Sequence, residues 1–137
     1  MNSLLRFTNI HLQYQNGTLL TEVIKGIDFT IHQNEKLAIV GKSGSGKTSL
    51  LMLMAGLEKP TSGNITYKDQ DITTYSEDQL TEYRKKNIGI VFQSFYLIPN
   101  YTAVENVALP LEINFQKDAL SQAKEILVDL GLSLIHI

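Results

Sequence analysis

The stretch Gly41-Lys42-Ser43-Gly44-Ser45-Gly46-Lys47-Thr48 constrains this chain more than any other. It has the form glycine, four residues, then Gly-Lys-Ser/Thr. It follows a short apolar run, Lys36-Leu37-Ala38-Ile39-Val40, and opens a segment of helix-forming residues from Lys47 to Leu57. The expected order is strand, loop, helix. Glycines let the backbone curl until successive N–H groups converge, and the helix N-terminus adds its positive dipole end, so the loop reads as an anion cradle built from Gly41, Ser43, Gly44, Ser45 and Gly46. Lys47 can bring a point charge to the β- and γ-phosphates of a nucleotide, Thr48 a hydroxyl to Mg²⁺, and Ser49 a hydroxyl to the α-phosphate. The competing reading is a flexible glycine loop with a solvated lysine. The complete pattern in strand-loop-helix context favours the cradle.

Composition narrows the surroundings of this loop. The chain has 137 residues, 12 basic and 14 acidic, with a formal charge of −2 and no cysteine. That length suits one modest domain or part of a larger one. Without a basic block there is no electrostatic pull toward nucleic acid, and without cysteine there is no disulfide framework, thiolate nucleophile or cysteine metal cluster. The most apolar run, Leu50 to Leu57, is far short of the roughly 20 residues of a spanning helix, and the N-terminus lacks a signal-peptide core. The expectation is a cytosolic α/β chain. His11, His32 and His136 are scattered and predict no metal site.

Periodicity supplies the other elements. Leu4 to Tyr14 alternates loosely and Val23 to Ile31 follows a turn around Asn16-Gly17, which predicts an antiparallel β region. Lys36 to Val40 and Ile88 to Phe92 read as buried strands, and Gly63 to Lys68 as another strand. Pro60-Thr61-Ser62-Gly63 breaks the chain after the loop helix. Ser76 to Lys86 reads as a polar helix with Ser76 as N-cap. Val104 to Leu109, stopped by Pro110, and Ala119 to Leu130 complete the helices.

A guanine-specific protein would need an Asn-Lys-x-Asp element downstream, and Thr66-Tyr67-Lys68-Asp69 does not supply it. Instead the chain resembles the ATP-binding subunits of ABC transporters. The likeness is carried by Lys25-Gly26-Ile27-Asp28-Phe29, Gly41 to Leu51, Pro60-Thr61-Ser62-Gly63 and Ile88-Gly89-Ile90-Val91-Phe92-Gln93. It covers nearly all of Leu4 to Leu132. Ser94-Phe95-Tyr96-Leu97-Ile98-Pro99, Thr102-Ala103-Val104-Glu105-Asn106-Val107 and Leu109-Pro110-Leu111 look most like the lipoprotein-releasing and macrolide-export branch.

The resemblance implies a P-loop ATPase core with an N-terminal antiparallel β subdomain, ATP and Mg²⁺ as cofactors, and a place at the inner face of the cell membrane. The implied partners are integral-membrane permease subunits and a second ATP-binding subunit, a homodimer in the full-length parent. Tyr14 matches the aromatic that stacks on adenine, although a lone strand tyrosine often packs on a surface. Gln93 matches the glutamine that touches Mg²⁺ or the attacking water, the implied catalytic position, although a glutamine there can also cap its own loop. Phe95, Tyr96, Leu97 and Ile98 would lie near the groove for the permease's coupling helix or be buried. Asn34 stands where the family usually has glycine, and asparagine accepts a left-handed backbone. Thr48-Ser49 inverts the commoner serine-threonine order while keeping both hydroxyls.

A working member also needs a Leu-Ser-Gly-Gly-Gln signature, an apolar strand ending in Asp-Glu and a switch histidine, none of which these residues contain. Ile126-Leu127-Val128-Asp129 imitates the strand, but Leu130 follows in place of glutamate and the apolar spacing is helical, so Asp129 is expected on a helix surface. Leu132 to Ile137 corresponds to one reading frame of a common sequencing-library adaptor, against the alternative of a genuine apolar tail. The expected division is therefore residues 1–131 as the N-terminal part of an ATP-binding domain, truncated before its helical subdomain is complete, and residues 132–137 as a non-native tail. Such a piece would expose apolar strand faces, fold poorly alone and bind nucleotide without turnover. Three functions follow: part of a transport ATPase, another P-loop enzyme such as a kinase, or a nucleotide-binding fragment without catalysis.

Overall fold

The computed structural model describes residues 2–132. Residues 133–137, and with them His136 and most of the expected tail, lie outside the described residues. The chain divides into two compact units, one reaching to Ile90 and one beginning at Val91.

In the first unit, β1 (Ser3–Asn16) and β2 (Leu19–His32) form a long antiparallel hairpin. Gly17, at φ 62°, opens its two-residue turn, the position a tight hairpin reserves for a left-handed residue. β3 (Ser62–Tyr67) pairs with the other side of β1, and the short β4 (Gln70–Asp71) follows it, giving the order β2-β1-β3-β4. The alternation in β1 is loose for a structural reason. Phe7 pairs with Phe29 and Ile10 with Ile27, so Thr8 and Asn9 together oppose Asp28 in a bulge. The extra residue shifts the period by one, and Leu5, Phe7, Ile10 and Leu12 are all buried.

One face of the sheet receives α1 (Lys47–Met54) and α2 (Glu77–Asn87). Leu53 from α1 and Tyr83 from α2 join Leu5, Phe7, Ile10, Leu12, Ile24, Ile65 and Ile72 in one core. Full burial of side chains such as Phe7 and Leu53 contributes about 2–3 kcal/mol each. Tyr83 meets Tyr67 edge to face at 5.1 Å and donates its hydroxyl to the Met54 carbonyl at 3.2 Å. Burial pushes its phenol up to about 12. Ser76 caps α2 as expected: it accepts from the Gln79 N–H, and its own N–H donates to the Gln79 side chain at 2.8 Å.

The second unit begins with an irregular stretch and ends in two helices, α3 (Ala103–Ile113) and α4 (Ala119–Asp129). Ala108, Ala119 and Ala123 meet between them, small enough for close approach. Asp129 is exposed on α4, in keeping with the helical spacing.

Three expectations are corrected. Lys36 to Val40 and Ile88 to Phe92 are not strands: neither pairs with a neighbour among the described residues, and Val40 is 88% and Val91 100% exposed. Their apolar character marks surface that a parallel sheet would cover on both faces, and the antiparallel sheet here lies elsewhere. Pro110 does not stop α3, which continues to Ile113. Proline removes only the N–H that would bond to the Asn106 carbonyl, and the capping box at the N-terminus together with the α4 contact holds the rest.

Candidate functional site

The glycine-rich loop lies in the first unit between residues 36–40 and α1. Two of its glycines adopt left-handed backbone, Gly44 at φ 77° and Gly46 at φ 85°. Gly46 is the N-cap of α1 and has no side chain to satisfy the first helical N–H groups, so these stay directed out of the helix end. The loop is also tightly wound. A Cβ at Gly41 would come within 2.8 Å of Ser45 Oγ, and one at Gly46 within 3.0 Å of Val23 Cγ1 on β2. Only glycine fits at those two positions without displacing a neighbour. Beneath the loop, Val23, Ile24, Ile27, Ile39, Val40 and Leu50 line an open cleft of about 390 Å³.

Lys47, the first residue of α1, folds back over the loop. Its ammonium donates to the carbonyl oxygens of Gly41 at 2.9 Å and Lys42 at 2.6 Å. A cation is thus held at the same helix end that presents the free N–H groups, the arrangement an oxyanion needs. Thr48 is exposed on the first turn. No group of three or more acidic or histidine side chains that could hold a metal occurs among the described residues, and the donors the loop itself offers a divalent cation are the Thr48 hydroxyl and the oxygens of a bound anion. That donor set of hydroxyl and phosphate oxygen fits Mg²⁺, which keeps several waters and takes few protein ligands.

Tyr14, near the tip of β1, is 42% exposed and is tied to the segment that follows α1. Its hydroxyl donates to the Glu58 carboxylate at 2.8 Å. That bond to Glu58 raises the phenol above its ordinary range, and the Ser49 side chain, at the same oxygen, opposes it. The first unit thereby brings together Tyr14, the loop from Gly41 to Gly46, Lys47, Thr48 and Ser49. Glu58 is a member of this group that sequence reasoning missed, because a single glutamate in a turn before Pro60 carries no pattern.

Gln93 belongs to the second unit, exposed in irregular chain after Phe92. Phe92 meets Tyr96 edge to face at 5.0 Å. Phe95 is 89% exposed, and Tyr96, Leu97 and Ile98 are exposed with it. Asn106 on α3 fastens the end of this stretch: its side chain accepts from the Ile98 N–H at 2.8 Å and donates to the carbonyls of Tyr101 at 3.1 Å and Thr102 at 3.0 Å.

The loop and its lysine have the form of a phosphate-binding loop, and comparison with known proteins gives the family of the chain. The ABC transporter family profile matches residues 24–136, and the chain belongs to that family. It is similar to the lipoprotein-releasing system ATP-binding protein LolD of Idiomarina loihiensis, 43% identical over 133 residues, covering 96% of this chain and 58% of that one. LolD of Hydrogenovibrio crunogenus is 44% identical over 131 residues, covering 94% of this chain and 57% of the relative. Among solved structures, the dimeric post-hydrolysis state of the ATP-binding cassette MJ0796 bound to ADP and Pi superposes with a TM-score of 0.85 at 32% identity. That likeness covers 96% of this chain and 59% of the cassette, so the fold is that of an α/β ABC ATPase. The chain therefore spans less than two thirds of the length of these relatives.

Proposed function

We propose that this chain is the nucleotide-holding part of the ATP-binding subunit of an ABC transporter of the lipoprotein-releasing type. The observation that carries the reading is the bare helix end at Gly46 with the Lys47 ammonium folded over it. The loop N–H groups and Lys47 bind the β- and γ-phosphates, Ser49 approaches the α-phosphate, and the Tyr14 ring receives adenine. The Thr48 hydroxyl would hold Mg²⁺, which when bound would neutralise charge on the phosphate oxygens; Gln93, in the second unit, is the contact to Mg²⁺ or the attacking water that the family resemblance implies.

In this reading hydrolysis belongs to a longer subunit, in which further segments supply the general base and a second ATP-binding subunit closes over the γ-phosphate. No helix among the described residues is long and apolar enough to cross a membrane. Transport is then the work of permease subunits, with this chain at the inner membrane face and the exposed Phe95, Tyr96, Leu97 and Ile98 as the contact. Calorimetric titration of the chain with MgATP tests the reading. Saturable heat matched by competition from ADP is the expected result, and absence of any heat at millimolar nucleotide overturns it.

A further inference from the structure

Resting on the nucleotide reading of the loop, we propose that Glu58 is a positioning residue for the base subsite: by accepting the Tyr14 hydroxyl it fixes the plane on which a purine stacks. Tyr14 stands near the free end of a long hairpin, paired with Thr21, where the ring would otherwise turn about its side-chain torsions. The hydroxyl instead reaches Glu58 at 2.8 Å.

Glu58 is itself held. The segment after α1 is fastened to β1 at two further points: the Thr61 N–H donates to the His11 carbonyl at 2.9 Å, and the Gln13 N–H donates to the Thr61 hydroxyl at 2.9 Å. At the helix end, the Leu57 N–H donates to the Met52 carbonyl at 2.9 Å. The carboxylate is therefore presented by a segment anchored on both sides. One tyrosine thus links the strand carrying the ring to the segment that leaves the phosphate-binding helix. A ring immobilised before the nucleotide arrives loses less rotamer freedom on binding, a difference of about 2- to 10-fold in affinity.

The test compares ATP with inorganic tripolyphosphate, which engages the loop and lacks a base, on the whole chain. Glu58→Ala is expected to weaken ATP about 2- to 10-fold while leaving tripolyphosphate unchanged. Glu58→Gln, whose amide oxygen still accepts, restores ATP binding, and Tyr14→Phe, which keeps the ring but loses the donor, reproduces Glu58→Ala. Equal loss for both ligands, no loss for ATP, or a Gln variant as weak as the Ala variant overturns the proposal. If tripolyphosphate binds and the ATP-to-tripolyphosphate ratio ignores Glu58, the positioning role alone fails. If neither ligand binds the unaltered chain, the nucleotide reading fails and takes this proposal with it.

Discussion

The ammonium of Lys47 lies 2.9 Å from the carbonyl oxygen of Gly41, six residues earlier in the chain. The cation is therefore satisfied by its own loop, with the Lys42 carbonyl as second acceptor at 2.6 Å. Two of its three N–H donors are engaged, so one remains for an incoming phosphate, whose anionic oxygen is a stronger acceptor than either neutral carbonyl. Lys47→Met keeps the length of the side chain and removes the charge. It is expected to weaken MgATP about 10- to 100-fold, from the roughly 1.5–3 kcal/mol of a hydrogen bond to a charged group. Calorimetry reads the loss, and an unchanged affinity would remove Lys47 from the site.

Gly63 packs against the bulge in β1. A Cβ there would fall 2.3 Å from the Asn9 carbonyl oxygen and 2.6 Å from that of Thr8, and its φ is 91°. Both contacts are to backbone, so neither can be relieved by a side-chain rotation. Gly63→Ala is expected to destabilise the first unit by about 2–5 kcal/mol, combining backbone strain with overpacking between β1 and β3. Urea unfolding followed by circular dichroism measures it. A midpoint within experimental scatter of the unaltered chain contradicts the close approach.

How far these features were legible in the sequence depends on whether their cause is local. Ser76 reads as a cap because its partner Gln79 is three residues away, and the glycine-rich loop reads as a cradle because its geometry is set within a few residues. The β1 bulge is visible in retrospect in the spacing Leu5, Phe7, Ile10, Leu12, whose one-residue shift marks an inserted residue. Leu37 to Val40 misleads, because apolar content records the environment a segment suits and not the neighbour that would make it a strand. Glu58 is illegible for the opposite reason: its partner Tyr14 is 44 residues away, and only the fold brings the two together.

Phe115 follows α3 in left-handed backbone, at φ 54°, and 93% of its surface is exposed. It completes the helix end: its N–H donates to the Glu112 carbonyl at 2.8 Å, and the next N–H, from Gln116, donates to Leu111 at 3.0 Å. Glycine is the usual residue there because it has no Cβ to strain. Phe115→Gly is expected to stabilise the second unit by about 1 kcal/mol, since the ring gives up little packing and about 1–2 kcal/mol of backbone strain is relieved. A rise in thermal midpoint checks it. A fall would show that the exposed ring makes contacts of its own.

Glu105 makes α3 sensitive to acid. Its carboxylate accepts from the Thr102 N–H at 2.7 Å and from the Thr102 hydroxyl at 2.8 Å, while the Glu105 N–H donates to the Thr102 hydroxyl at 3.3 Å. The backbone bond from Thr102, followed by its side-chain bond, holds the carboxyl below its ordinary range. A folded-state value below the unfolded one means that the unfolded chain binds the proton more readily, so this contribution to stability is complete above the ordinary glutamate range. It is lost as pH falls from there through the folded value. Hydrogen exchange at the first-turn amides of α3 is therefore expected to lose protection below about pH 4.3, where an unperturbed glutamate titrates. Glu105→Gln retains an oxygen to accept from Thr102 but cannot titrate, and its first turn should fray no further across the same interval. If both proteins lose protection in parallel, the acid response originates elsewhere and the Glu105 carboxylate is not what closes this helix end.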